Sequence, residues 1–251
     1  MAEALLSFNL RADFAIFRDQ SITTSHATYI IPPKTTIVGL IAAILGVERK
    51  NTFKSNTIDT IYTEKYINLL KSIKIGIRVL NKDISKINLF TNNISLKKAG
   101  GKPFKKELLV NPNYEIFILA ETSLLEEIKN HISKAEYKYT PFLGNAYCLA
   151  KLNNARLLRF NYVITPAGKV TSTVIIGRGN FILRPISQSN SNTVAIENHL
   201  HFTPPDRRET VNFWIPLGNN KIKIDSYTAD GTTGFKFLEL KNAREEVICV
   251  Y

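Results

Sequence analysis

The chain has 251 residues, 44% of them hydrophobic and 22% charged, the makeup of a folded protein rather than a disordered one. Two cysteines, Cys148 and Cys249, exclude a disulfide framework and lack the spacing of a structural zinc site. No apolar run nears the roughly 18 residues of a membrane span, and no basic segment precedes an apolar core at the N-terminus, so a soluble cytoplasmic protein without a membrane partner is expected. Thirty-three Lys and Arg against 21 Asp and Glu leave a net charge of +12, which attracts polyanions, nucleic acid first among them.

Residues 5–14 alternate, with Leu6, Phe8, Leu10, Ala12 and Phe14 on one side and Ser7, Asn9, Arg11 and Asp13 on the other. That period of two predicts a half-buried strand. Pro32 and Pro33 forbid helix before them. Thr35 or Thr36 can then cap a helix with Ile37, Leu40, Ile41, Ile44 and Leu45 on one face, stopped by Gly46. A strand is expected over 73–80, a Lys-rich stretch fills 81–113, and Glu115–Ala120 reads as another strand. A helix with a capping box from Ser123 to Glu126 and a stripe of Leu125, Ile128 and Ile132 follows. A last strand is placed near 147–152.

The expected class is therefore α+β, with the split βαβ order of ferredoxin-like and RNA-recognition domains over residues 1–155. From 156 to 251, short β-type runs recur at Tyr162–Ile164, Thr173–Ile176, Phe181–Leu183, Val211–Ile215, Lys221–Ile224 and Phe235–Leu240. They predict a β-rich C-terminal lobe packed on the first domain.

The stretch from Phe17-Arg18 to Gly46 carries the most chemistry. A rigid Pro-Pro loop brings Lys34 and the hydroxyls of Thr35 and Thr36 to a helix N-terminus, whose free N–H groups and dipole favour an anion. Tyr29 offers a surface on which a base can stack. A plain capped core helix explains the same residues equally well.

This segment, together with Pro141-Phe142-Leu143-Gly144-Asn145-Ala146-Tyr147-Cys148-Leu149-Ala150, resembles the CRISPR-associated Cas5 family of the RAMP superfamily. The likeness runs almost unbroken from Phe14 to Gly46, and its motifs span roughly the first 150 residues. It implies a ferredoxin-like domain with a protruding β-hairpin thumb, placed here at about 81–113. It further implies a non-catalytic subunit that binds the 5′ repeat-derived tag of a CRISPR RNA. Such a subunit caps the backbone of a type I Cascade complex, with backbone and large subunits as partners and target DNA met indirectly. The thumb region holds seven lysines, Lys82, Lys86, Lys97, Lys98, Lys102, Lys105 and Lys106, against Asp83 and Glu107. Gly100-Gly101 supplies a flexible tip. Lysines on such an arm neutralise phosphates without reading sequence. The expected RNA-binding residues are Arg18, Tyr29, Lys34, Thr35, Thr36, Lys97, Lys98, Lys102, Lys105 and Lys106.

One branch of the family cleaves the RNA precursor without metal, using a Tyr beside a Lys-His pair. No Lys-His dipeptide occurs here, so binding is favoured over catalysis. His26 and Tyr29 are the residues to suspect if cleavage occurs. His199 and His201, at i and i+2, would share a face on a strand, but no third metal ligand stands near and they are expected as ordinary surface histidines. Gly177-Arg178-Gly179 can bring backbone N–H groups near phosphate, and a bare turn explains it as well. Asp206-Arg207-Arg208-Glu209 reads as a solvated turn from which Arg207 or Arg208 can still touch RNA or a neighbouring subunit, and Trp214 reads as core. No phosphate-binding loop, paired-carboxylate cluster or Ser-His-Asp arrangement stands out, and no cofactor is expected.

Overall fold

The computed structural model describes residues 2–19, 21–22, 25–48, 50–54, 57–61, 63–94, 101–163, 169–176, 180–186, 194–203, 207–228, 236–241 and 246–251. The first half contains β1 (Glu3–Arg11), β2 (Phe14–Ala15), α1 (Lys34–Leu45), β3 (Lys50–Lys54), β4 (Thr57–Ile61), α2 (Glu64–Ser72), β5 (Lys74–Val79), β6 (Ser85–Ile94) and β7 (Gly101–Val110). It continues with β8 (Asn113–Glu121), α3 (Thr122–Lys134) and β9 (Lys151–Leu158). The rest is strand: β10 (Phe160–Val163), β11 (Lys169–Val170), β12 (Val174–Ile176), β13 (Asn180–Ile186), β14 (Val194–Thr203), β15 (Arg207–Pro216), β16 (Lys221–Thr228), β17 (Lys236–Leu240) and β18 (Val247–Val250).

Four antiparallel strands in the order β5-β8-β1-β9 form the central sheet. The alternation in β1 sorts its side chains as the period of two requires. Leu6, Phe8 and Leu10 join the cluster that includes Ile37 and Ile41 of α1 and Leu125, Ile128 and Ile132 of α3. Leu5 faces the other way and meets Phe117, Leu119, Leu238, Leu240, Ile248 and Val250. Fully burying a Leu or Phe stabilises by about 1.5–3 kcal/mol, so both faces of the central sheet hold the elements packed on them. The edge strand β5 is also closed by backbone pairing. Ile75 and Tyr251 exchange two bonds (2.9 and 3.0 Å), Thr173 N–H donates to Ile77 O (2.7 Å) and Gly218 N–H to Val79 O (3.1 Å). A Cβ at Gly76 would stand 2.7 Å from Cys249 O, so this approach requires glycine.

Both capping expectations need correction. The first helix begins at Lys34 with Pro33 as N-cap and no side-chain cap bond. The first turn closes through its backbone, with Thr36 N–H and Ile37 N–H both donating to Pro33 O. Proline suits that place because its φ is preset and an N–H there has no helical partner. At α3 the Ser123–Glu126 box does not form: the helix starts two residues earlier, at Thr122 behind Glu121 as N-cap. The Thr122 N–H and hydroxyl both donate to Ala2 O, tying the helix start to the chain entering β1. The Gly46 stop is as expected, with φ +75°. The strand expected near 147–152 runs over Lys151–Leu158, so residue 155 lies inside it.

The hairpin β3–β4, helix α2, β14 and β18 were not expected from the sequence pattern. The 81–113 stretch forms the hairpin β6–β7, from Ser85↔Val110 to Ile94↔Gly101. Lys97, Lys98 and Gly100 lie outside the described residues. No helix among the described residues is long and apolar enough to cross a membrane.

Candidate nucleic-acid interface

The base of the β6–β7 hairpin is braced by the Phe17–Tyr29 segment. Arg18 and Thr28 form an antiparallel bridge, closed by Tyr29 N–H to Phe17 O and Asp19 N–H to Ala27 O, both 2.9 Å. The returning limb lies along β7, with His26 N–H donating to Lys105 O (3.0 Å) and Glu107 N–H to His26 O (2.8 Å). Thr28 is the tie. Its hydroxyl accepts from Phe17 N–H at 2.8 Å, and its carbonyl accepts from Lys86 Nζ at 2.7 Å. Lys86 is also 3.8 Å from Glu107.

Residues opposite each other on antiparallel strands share a face. One face of the hairpin therefore carries Leu89 with Lys106, and Thr91 with Phe104; the other carries Phe90 with Lys105. His26 bridges Lys106 and sets its imidazole edge-on to Phe104, with centroids 4.4 Å apart. Burial, then the positive charges of Arg18 and Lys106, hold the His26 imidazole below its usual pKa. Arg18, His26 and Lys106 thus converge on one spot beside an aromatic ring. On the other face Phe90 is 69% exposed beside exposed Lys105. Cations interleaved with exposed rings suit a single strand, whose phosphates and bases both need partners. Lys102 lies opposite Asn93 near the far end of the hairpin.

The remaining expected residues sit elsewhere. Tyr29 is buried, with its ring stacked on His199 and its hydroxyl donating to Asp19 Oδ1 at 2.8 Å. It is a core side chain rather than an exposed platform for a base. Burial resists ionisation of Asp19, but the bonds from Ser21 and Tyr29 outweigh it and hold the carboxyl below its usual range. Lys34 does not project from the helix end. Its Nζ reaches back to the backbone oxygen of Tyr251 at 3.4 Å, and burial, then Lys74, lowers its pKa to about 8. Thr35 and Thr36 are half-buried, and Thr35 O accepts from the Tyr66 hydroxyl at 3.3 Å.

His199 also departs from expectation. It is 2% exposed and not a surface residue. Its Nε2 bonds Glu197 Oε2 at 3.0 Å, while Glu197 Oε1 accepts from Ile30 N–H at 2.7 Å. Strand β14 thus clamps the Pro-Pro loop that precedes α1. Trp214 packs against the core as expected. The side chains of His201, Arg207 and Arg208, and all of Gly177-Arg178-Gly179, lie outside the described residues. Among those described, no three His, Cys, Asp or Glu side chains gather to hold a metal.

Sequence reasoning missed Phe90, Phe104 and Glu197, and counted Lys86 only among the hairpin lysines. Phe90 and Phe104 stand in a stretch read for its lysines; Glu197 had no local signal.

The structure is an α+β protein built largely of antiparallel sheets around three helices among its described residues. The model of the family described as CRISPR-associated protein (Cas_Cas5) matches residues 5–180, and the chain belongs to that family. A CRISPR protein from Archaeoglobus fulgidus shares the fold, with a TM-score of 0.56 at 13% identity over 98% of each chain. A chain of a CRISPR RNA-guided surveillance complex aligns at TM-score 0.49 and 13% identity, over 85% of this chain and 91% of the other. No curated protein matches.

Proposed function

We propose that this protein is a non-catalytic CRISPR RNA-binding subunit that holds the 5′ repeat-derived tag and caps the backbone of a type I Cascade complex in antiviral defence. The observation that carries this reading is the placement of Arg18 and Lys106 about His26, through the Arg18–Thr28 and His26–Lys106 bridges, beside Phe104 at the base of a basic hairpin, within a Cas5-family chain of net charge +12. Such a site takes the phosphates and bases of an RNA end. The strand order β5-β8-β1-β9, with α1 after β1 and α3 between β8 and β9, supports a ferredoxin-like reading of the first domain with β6–β7 as its thumb. Backbone and large subunits are the protein partners in this reading, and target DNA is reached through the guide.

The lowered pKa of His26 favours one second reading, metal-independent RNA cleavage. A neutral imidazole between two cations can accept a 2′-hydroxyl proton. Tyr29 does not join it, because its hydroxyl is committed to Asp19. Co-expression with the neighbouring genes, followed by sequencing of the co-purified RNA, tests the main reading. Guides carrying an intact repeat-derived 5′ tag are expected. Incubation with a repeat-containing precursor tests the second: specific cleavage abolished by His26→Ala would replace binding by catalysis.

A further inference from the structure

The segment Pro141–Ala150 carries a sequence motif yet supplies none of the residues clustered around His26. Its backbone is tied down throughout. Leu143 N–H donates to Cys148 O (2.8 Å), Cys148 N–H to Asn145 O (2.8 Å), Ala150 N–H to Pro141 O (3.0 Å) and Ile16 N–H to Leu143 O (3.1 Å). Leu143 and Cys148 point into the core, 0% and 1% exposed. A loop fixed in this way nevertheless turns Phe142, Tyr147 and Leu149 outward, 44%, 55% and 55% exposed. Phe142 and Leu149 are bridge neighbours, and the Asn145 amide donates to the Tyr147 hydroxyl at 2.8 Å. Rigid apolar side chains held in water mark a binding surface, since their ordering cost is already met.

Charge identifies the occupant. From 137 to 196 the chain has no Asp or Glu and seven Lys or Arg. Leu149 and Lys151, two apart on extended chain, share a side. Lys151 stands opposite Arg11, and Arg156 follows on the same strand, opposite Ser7. The nearby carboxylates are already engaged: Asp13 with Lys151 at 2.8 Å, and Glu115 with Ser7, Arg78 and Arg156. An apolar protein interface is depleted in Lys at its core, whereas aromatic rings flanked by more cations than carboxylates, here Arg11, Lys151 and Arg156 against Asp13 and a Glu115 already shared with Arg78, fit a single strand of RNA.

We propose that this loop and the adjoining end of the central sheet form a second docking surface for single-stranded RNA, with Phe142 and Tyr147 stacking on bases and Arg11, Lys151 and Arg156 meeting phosphates. The proposal rests on the RNA-binding reading above and adds a surface to it. The test uses the full chain and two labelled RNAs, the 5′ tag alone and the tag extended by a uridine-rich single strand. Phe142→Ser with Tyr147→Ser is expected to weaken the extended RNA about tenfold or more, as lost stacking does, with tag-only binding and the thermal melt unchanged. Thiouridine in the extension should crosslink to the Pro141–Ala150 segment. Unchanged affinity for the extended RNA, or crosslinks confined to the β6–β7 hairpin, would overturn the proposal; a loss under Arg18→Ala would leave the RNA-binding reading standing. If the unmodified chain binds neither RNA, both fail.

Discussion

The ring of Tyr29 lies on the imidazole of His199, with centroids 3.9 Å apart and planes 21° from parallel. His199 in turn meets Phe213 at 4.8 Å, and Phe213 meets Tyr251 at 5.2 Å. This column runs from the motif-bearing loop to β14, β15 and the Tyr251 end of the chain, so the loop's shape depends on residues far away in sequence. His199→Ala removes a stacked ring and a partner of buried Glu197, and should destabilise the protein by about 2–4 kcal/mol. Chemical denaturation measures it. A loss below about 0.5 kcal/mol, the range of surface substitutions, would mean that the column is incidental.

Gly144 has φ +88°, and a Cβ there would lie 1.7 Å from Ile16 O. Both the backbone conformation and the space exclude a side chain. Gly144→Ala should cost about 3 kcal/mol or more, read as a lowered melting temperature or loss of soluble protein.

Arg78 ties the central sheet to later parts of the chain through charge. It donates to Glu115 and to Glu246, both at 2.9 Å, and also to the Thr171 hydroxyl. All three charged side chains are mostly buried, at 14%, 9% and 11% exposed. Arg78→Met leaves Glu246 without its cation and Glu115 with only the exposed Arg156, and should destabilise by about 3–5 kcal/mol. Arg156, which touches the same Glu115 but is 65% exposed, should cost about 1 kcal/mol or less when changed to Ala. Equal losses at the two positions would contradict this distinction.

Lys34 gives a pH signature. Burial, then Lys74, lowers its pKa from the usual 10.5 to about 8 in the folded protein. Between those values the unfolded chain binds the proton that the folded chain has released, so stability rises with pH across that window and is lower below it. Lys34→Met should flatten the rise and stabilise the protein near pH 7 by about 1–2 kcal/mol. Denaturation at several pH values checks it, and an unchanged slope would place the ammonium in water.

Much of this architecture is legible in the residues, because β1, β5, β8 and the buried stripe of α3 follow local periodicities. Helix α2 had its signals too: Thr63 Oγ1 accepts from Tyr66 N–H, and Tyr66, Leu69 and Leu70 form its buried face. Nine residues make a weak pattern, and it passes unnoticed among Lys and Asn. The site was legible only in part. Arg18 and Lys106 meet because the 17–29 segment lies along β7, a pairing of distant chain. Tyr29 looks like a surface ring until Glu197 and His199 are laid against it. Glu197 is 167 positions from Ile30, and no local rule reaches that far.

The hairpin lysines should act through charge more than through fold. Lys105→Glu with Lys106→Glu should reduce the salt dependence of RNA affinity by about 0.7 per lost phosphate contact, with the thermal melt nearly unchanged. An unaltered slope in the folded variant would mean that these side chains are merely solvated.

The most direct test of the central claim compares RNA bearing the 5′ repeat tag with RNA of equal length lacking it, at one fixed salt concentration. Arg18→Ala and Lys106→Ala flank His26 without entering the core, so the fold should survive, as a thermal melt will verify. If the cluster around His26 holds the tag, each variant weakens the tagged RNA several-fold more than the untagged RNA. Equal losses on the two RNAs would show that the cluster senses only charge, and would contradict its assignment as the tag site.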